Sequence, residues 1–148
     1  MRGNLVAILF ALQAKLAGLL NTALVPGEGL RQHNAASYPL DALRESVLNA
    51  LIHRSYQANS AVRVLWFDDR VEIVNAGGPY GAVTDANFDR VCDYRNPTIA
   101  EAAKNLGYIN RFGRGISLVR TLLAANGSPA PEFTIEPQFW SVIMRARP

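Results

Sequence analysis

The segment LDALRESVLNALIHRSY, residues 40–56, sets Glu45, Asn49 and His53 four positions apart. At that spacing side chains stack on one face of a helix, so a carboxylate, an amide and an imidazole line one stripe. Leu43, Val47, Ala50 and Leu51 fall on the opposite face, ready to enter a core. Leu48 and Ile52 flank the stripe, where an ordinary solvated face would carry Lys, Glu or Gln. A polar stripe bordered by apolar residues reads as the wall of a pocket. A helix of this kind, followed along the chain by glycine-rich loops, is what a Mg-nucleotide site needs.

Taken singly, each residue has a plainer reading. Glu45 would be an exposed helix carboxylate, and His53 a histidine of the last, solvated turn. Asn49 is more telling, because an asparagine within a helix is costly unless its amide finds a partner. The glycines downstream divide in the same way. Gly113 and Gly115 stand before an apolar run at residues 116–125. They form either a tight loop or a backbone that a ligand can approach closely, and the helix that follows offers free N–H groups and a positive dipole end to an anion. At residues 75–79, NAGGP, Gly77 and Gly78 either serve a turn or leave room for a flat base, with the Asn75 amide placed to hydrogen-bond it.

The elements that must position these residues can be read along the chain. Residues 4–24 fit a helix ending near Pro26 and Gly27, and residues 28–37 a short strand or loop. Pro39 suits the first turn of the next helix and Asp41 complements its dipole; that helix runs to His53 or Ser55. Residues 61–67 and 71–75 are β-rich and flank an Asp68-Asp69 turn. Residues 80–96 show no period and read as a long loop, of the kind that serves as a lid or binding segment. Pro97 opens a short helix that ends at Leu106-Gly107. Arg111, Phe112, Gly113, Arg114 and Gly115 lead into the helix at 116–125, which stops at Asn126-Gly127. Residues 132–136 and 139–145 form two last strands about Pro137-Gln138. Two hairpins separated by helices predict an α/β (α+β) two-layer sandwich, with helices on one face of a mixed, largely antiparallel sheet.

With 148 residues the chain reads as one domain, residues 1–148, in which residues 1–26 form an N-terminal helix. Hydrophobic content of 49% and charged content of 18% exclude a disordered chain. The net charge of +3, carried mostly by scattered arginines, permits contact with phosphates without requiring a nucleic acid. Cys92 is the lone cysteine, which excludes an internal disulfide and a cysteine-rich metal centre. A reducing cytoplasm is the simplest compartment. The apolar run at residues 5–12 is broken by Gln13 and Lys15, short of the roughly 20 residues of a membrane span. It is expected to pack on the domain, not to enter a membrane. The chain begins abruptly, as a segment of a longer protein would. No G-x-x-x-x-G-K-[ST] loop occurs in it, so a translocating motor is not among the functions its residues support.

In their order along the chain, Glu45 and Asn49, the NAGGP turn, and Gly113-Arg114-Gly115 resemble the motifs of the GHKL superfamily of ATPases, which includes gyrase B, MutL and the histidine-kinase ATPase domain. More narrowly, LNALIHRSY, FDDRVEIVNAGG, RNPTIAEAAKNLGYI and RFGRGI are similar to a bacterial subfamily, the C-terminal ATPase-like domain of RecG-related proteins described as DNA helicases or transcriptional regulators. The resemblance covers residues 38–148. It implies the Bergerat, histidine-kinase-like ATPase fold, with ATP and Mg²⁺ as ligands. Asn49 would hold Mg²⁺, and Glu45 would orient or deprotonate the attacking water. His53 would stand where relatives carry a basic or polar residue. Gly113 and Gly115 would shape the phosphate loop, with Arg114 or Arg54 near the charge. Asn75, Gly77 and Gly78 would form the base site, and residues 80–111 the lid. Full-length relatives carry an N-terminal Schlafen/AlbA-like DNA-binding domain, through which DNA contact would be made. Two positions depart from the pattern: Asn75 replaces an aspartate, and Pro79 replaces a glycine.

Three functions remain open on these residues. The first is Mg-ATP binding, with slow hydrolysis, as a switch in a DNA-associated regulator. The second, which Asn75 and Pro79 favour, is a nucleotide fold that no longer binds nucleotide and serves as a dimerisation or protein-interaction module. The third is direct nucleic-acid binding through the dispersed arginines.

Overall fold

The computed structural model describes residues 5–20, 22–26, 32–109 and 113–148, with side chains for all of these except 5, 6, 13, 22–26 and 32–36. The expected helix start at residue 4, the segment at 28–31, and Arg111 and Phe112 lie outside the described residues. The elements are α1 (Leu5–Leu19), β1 (Thr22–Pro26), β2 (Gln32–Ala36), α2 (Leu40–His53), β3 (Arg63–Trp66), β4 (Arg70–Ala76), α3 (Pro97–Asn105), α4 (Gly115–Ala125), β5 (Glu132–Ile135) and β6 (Phe139–Arg145).

Two hairpins, β3–β4 and β5–β6, build a four-stranded sheet in the order β3-β4-β6-β5. Every pairing in it is antiparallel, so the mixed component expected from sequence is not found among the described residues. The register sets Val71 opposite Met144, Ile73 opposite Val142, and Asn75 opposite Trp140. Period-two alternation sends this row to one face. Leu43, Val47 and Ala50 of α2 cover it together with Val119 and Leu123 of α4. The alternate row carries Arg70, Glu72, Arg145 and Glu132, joined at 2.6 Å (Arg70 to Glu72) and 2.7 Å (Arg145 to Glu132). Helices therefore cover one face of the sheet, and the apolar side of that sandwich is the main core.

A second apolar cluster explains the flanks of the polar stripe. Leu48 and Ile52 are buried against Leu9 of α1 and Ala100 and Ala103 of α3. They are not the pocket wall that the sequence suggested. Because α2 is clamped between two cores, only a narrow strip of its surface is left for polar residues.

The N-terminal region differs from expectation. The helix ends at Leu19, and Thr22–Pro26 is a strand paired with Gln32–Ala36. A run of Leu, Ala and Val serves a short strand as well as a helix, whereas Thr22, Val25 and Pro26 favour extended backbone. Pro39 lies just outside the first turn of α2, where its carbonyl accepts from the N–H groups of Ala42 and Leu43.

At the other end of α2, Asn96 donates its side-chain amide to the carbonyls of Ile52 (2.7 Å) and Arg54 (2.8 Å). Carbonyls at a helix end lack partners of their own, so this residue fixes the start of α3 to the end of α2. Asn96→Ala is expected to lower stability by about 1–3 kcal/mol, read as a fall in the urea midpoint with unchanged slope.

Candidate functional site

Asn49 and His53 face a cavity bounded by α2, α4, the ends of β4 and β6, and the segment after β4. The space in it open to water-sized bodies is about 120 Å³. Glu45 stands at its edge. A Cβ placed on Gly115 would lie 2.6 Å from Glu45 Oε1 and 3.0 Å from Asn49 Oδ1, with Asn49 Nδ2 nearer still. Gly115 is thus in contact with both groups of the stripe, and any side chain at this position would displace them. Arg114, which precedes α4, makes no side-chain capping bond. The first-turn N–H groups of α4, with the positive end of its dipole, lie at this junction.

The stripe is half-buried, and its ionisation reflects that. Burial pushes the Glu45 carboxyl above its ordinary value, against a smaller opposing pull from Arg44. Burial holds the His53 imidazole below its ordinary value, and the Arg95 guanidinium adds to the effect. At neutral pH His53 is therefore an uncharged ring.

The far wall is the end of β4. Asn75 is 5% exposed and donates through Nδ2 to the Ala76 carbonyl at 3.3 Å. Gly77 has φ 94° and donates to the Gln138 carbonyl at 2.7 Å, and Gly78 donates to Pro137 at 3.2 Å. A Cβ on Gly78 would collide with the carbonyls of Glu136 and Pro137. These glycines line the cavity, and their close packing on the β5–β6 turn is itself sufficient reason for their identity.

Residues 80–96 form the expected irregular segment, folded across the cavity and fastened at several points. Phe88 meets Phe133 and Trp140 with ring centroids at 5.1 and 5.3 Å. Asp89 pairs with Arg120 of α4 at 3.0 Å. Asp93 accepts from the Ala82 N–H at 3.2 Å. Arg95 donates to the Gly78 carbonyl at 3.0 Å, tying the end of the segment to the glycine turn. Tyr94 stacks on His53 at 5.2 Å with 20° between the rings.

Of the residues singled out from sequence, Asn49, His53, Asn75, Gly77, Gly78, Gly113 and Gly115 line one cavity, with Glu45 at its edge. Arg54 and Arg114 do not line it. Arg54 turns away, donating to the Ser60 carbonyl at 2.7 Å and lying 4.6 Å over the Tyr56 ring; Arg114 is exposed. Residues that sequence reasoning missed are Ser46, Phe88, Cys92, Tyr94 and Trp140, which line the cavity, and Arg95 behind it. Trp140 could have been found from the β6 alternation and its register with Asn75. Ser46 neighbours the stripe but donates to the Ala42 carbonyl. No pattern marks the others, which lie in irregular chain.

The donor set suits a hard cation carried by a phosphate. Glu45 and Asn49 each bring an oxygen to within 3.0 Å of where a Cβ on Gly115 would stand, and among the described residues no group of three or more His, Cys, Asp or Glu gathers to hold a metal alone. Mg²⁺ retains waters and phosphate oxygens and needs one or two protein oxygens, so these residues fit it. No helix among the described residues is long and apolar enough to cross a membrane.

Two stability measurements test this geometry. At an open helix start, Gly→Ala would favour the helix by up to about 1 kcal/mol; at Gly115 the added methyl must push aside the ends of the Glu45 and Asn49 side chains, so Gly115→Ala is expected to show none of that gain in urea unfolding. For His53, a depressed folded-state pKa gives stability present above the unfolded value of 6.5 and lost as pH falls through the folded value. Glu45 acts oppositely, its raised pKa favouring the fold below 4.5 and less as pH rises. Between about pH 7.5 and about pH 5.5 the parent's urea midpoint should fall more than that of His53→Gln; parallel profiles would remove His53 from the account.

No curated protein matches the sequence. The DIP2311 protein of Corynebacterium diphtheriae, known from its crystal structure, is 26% identical and superposes with a TM-score of 0.86 over 97% of this chain. The match covers 30% of that protein, so the chain spans under a third of its relative's length. The family described as "Putative ATP-dependent DNA helicase recG C-terminal" matches residues 59–144. That match takes in both strands of the first hairpin, the segment over the cavity, α4 and nearly all of the second hairpin, and by it the chain belongs to this family of RecG C-terminal, ATPase-like domains.

Proposed function

We propose that the domain binds Mg-ATP in the cavity between α2, α4 and the sheet, hydrolyses it slowly, and acts as a regulatory switch in a DNA-associated, RecG-related protein of the cytoplasm. The observation that carries this reading is the junction at Gly115, where an uncapped helix N-terminus meets a carboxylate and an amide. The N–H groups of α4 and of the Gly113 turn bind the phosphates. Asn49 would hold Mg²⁺ through its side-chain oxygen, and the ion would supply charge neutralisation to the phosphates. Glu45 orients a water and accepts its proton, a task that its raised basicity suits. The base lies toward Asn75 and Trp140. Asn75 offers a neutral acceptor in place of a carboxylate, which weakens the contact relative to a charge-assisted bond. In the whole protein, DNA contact belongs to another region, and the domain can pair with a second copy of itself.

Three outcomes separate this reading from an interaction module that binds no nucleotide. Asn49→Ala is expected to abolish Mg-ATP binding in calorimetry while keeping the parent's circular dichroism. Glu45→Gln should bind Mg-ATP and lose phosphate release by about 10²–10⁴-fold. If both variants bind and turn over like the parent, the assignment of the stripe is wrong. If the folded parent binds nothing at millimolar Mg-ATP and self-associates, the interaction module is the better reading.

A further inference from the structure

The two edges of the four-stranded sheet are not alike. β5, at one edge, stands between Pro131 and Pro137 and carries Glu132 at its start. Proline and charge are common guards of an open edge, because they discourage a second strand from pairing there. β3 forms the other edge, and residues 60–67, SAVRVLWF, contain no proline, glycine or lysine. β1 and β2 pair with each other, so no described strand covers β3.

The phase of the β3–β4 ladder shows what this edge presents. The Phe67 N–H donates to the Arg70 carbonyl at 2.9 Å, and Leu65 and Arg63 stand opposite Glu72 and Val74. Backbone bonding alternates along an antiparallel strand. Arg63, Leu65 and Phe67 therefore bond toward β4, and the N–H and C=O groups of Val64 and Trp66 point outward. Those outward groups have no hydrogen-bond partner among the described residues. The side chains of Val64 and Trp66 pack on the main core. Those of Leu65 and Phe67 lie on the face that the helices leave bare, each 38% exposed. The edge thus joins unpaired backbone to an exposed apolar pair.

Charge selects the occupant. Asp69 is held by Arg70 and Arg145, whereas Arg63 and Asp68 have no ion-pair partner among the described residues. A strand with an unmatched cation toward one end and an unmatched carboxylate at the other complements itself when reversed. We propose that β3 pairs antiparallel with β3 of a second copy of this chain, about a two-fold axis at Leu65. This register sets Leu65 against the partner's Leu65 and lets Val64 exchange backbone bonds with the partner's Trp66. It places Arg63 opposite the partner's Phe67, next to the partner's Asp68. An axis at Val64 would instead turn Asp68 toward the partner's Ser60, and one at Trp66 would run the pairing into the Asp68-Asp69 turn. The two sheets become one continuous sheet, with the helices of both copies on the same side. No residue of β3 lines the cavity, so this pairing is independent of the nucleotide reading and gives self-association a location.

The test is disulfide trapping with one introduced cysteine at a time, in a Cys92→Ser background, with oxidised glutathione as oxidant. Residues facing each other in a non-hydrogen-bonded antiparallel pair have Cα atoms about 4.5 Å apart, within disulfide reach. Leu65→Cys is therefore expected to yield a covalent dimer. Arg63→Cys should yield none, since its counterpart lies four residues along the strand, about 13 Å away. Sedimentation of the parent up to millimolar concentration should show a monomer–dimer equilibrium. Leu65→Lys opposes like charges at the axis and should weaken that equilibrium about tenfold. Equal melting temperatures establish that the variants, altered on the surface, are folded. A parent that stays monomeric with no Leu65→Cys dimer overturns the proposal, as does equal linking through residue 63. A dimer that Leu65→Lys leaves unchanged overturns it too, because another surface then carries the association. Mg-ATP takes no part in these measurements, so their failure leaves the nucleotide reading standing.

Discussion

Two helices that meet at an angle ordinarily keep their backbones apart by the width of their side chains. In this chain the first residue of α4 has none, and its backbone rests on Glu45 and Asn49 of α2. That single close approach brings the start of α4 against a carboxylate and an amide oxygen. The remainder of the fold serves to hold it. Val119 and Leu123 lock α4 to the sheet side of α2, and Leu48 and Ile52 lock the other side of α2 to α1 and α3. With both flanks buried, the helix cannot roll, and the stripe has one direction in which to face. The raised pKa of Glu45 and the lowered pKa of His53 are consequences of that enforced, half-buried position.

The sheet contributes the opposite wall through register. Pairing of Ile73 with Val142 continues to Asn75 and Trp140, so a row that is core at one end becomes cavity lining at the other. The transition from apolar to polar along one strand face is how a sandwich of this kind opens a ligand site without breaking its core. Glycine at 77 and 78 lets the chain leave β4 pressed against the β5–β6 turn. The segment that follows is irregular because it spans the cavity, not a layer, and its order comes from point fastenings: an aromatic trio, one ion pair and two backbone-directed side chains.

Much of the architecture is legible in the sequence because hairpins and capped helices leave local signals. The Asp68-Asp69 turn, Pro97, Asn126-Gly127 and Pro137-Gln138 mark boundaries that the structure reproduces to within a residue or two. The N-terminal misreading has a physical origin: residues 22–25 are apolar enough for either state, and strand pairing with a distant segment decides between them. Clustering of Asn49, His53, Asn75 and the glycines in one cavity was readable from spacing and motif order. Arg54 was misjudged because a position one step past the stripe points elsewhere once the helix ends, and its guanidinium found carbonyls at Ala58 and Ser60. Tyr94 and Arg95 lie in chain without period, where only the folded geometry brings them to the stripe and the glycine turn.

The most direct test of the junction as a phosphate site is a titration of the ¹⁵N-labelled domain with ATP, with and without Mg²⁺, followed through backbone amide shifts. The account predicts Mg-dependent shifts concentrated at Asn49, Gly113, Gly115 and Ile116, with smaller ones at Asn75 and Gly77. Shifts confined to the solvated face of the sheet, or none at millimolar ATP, would contradict it.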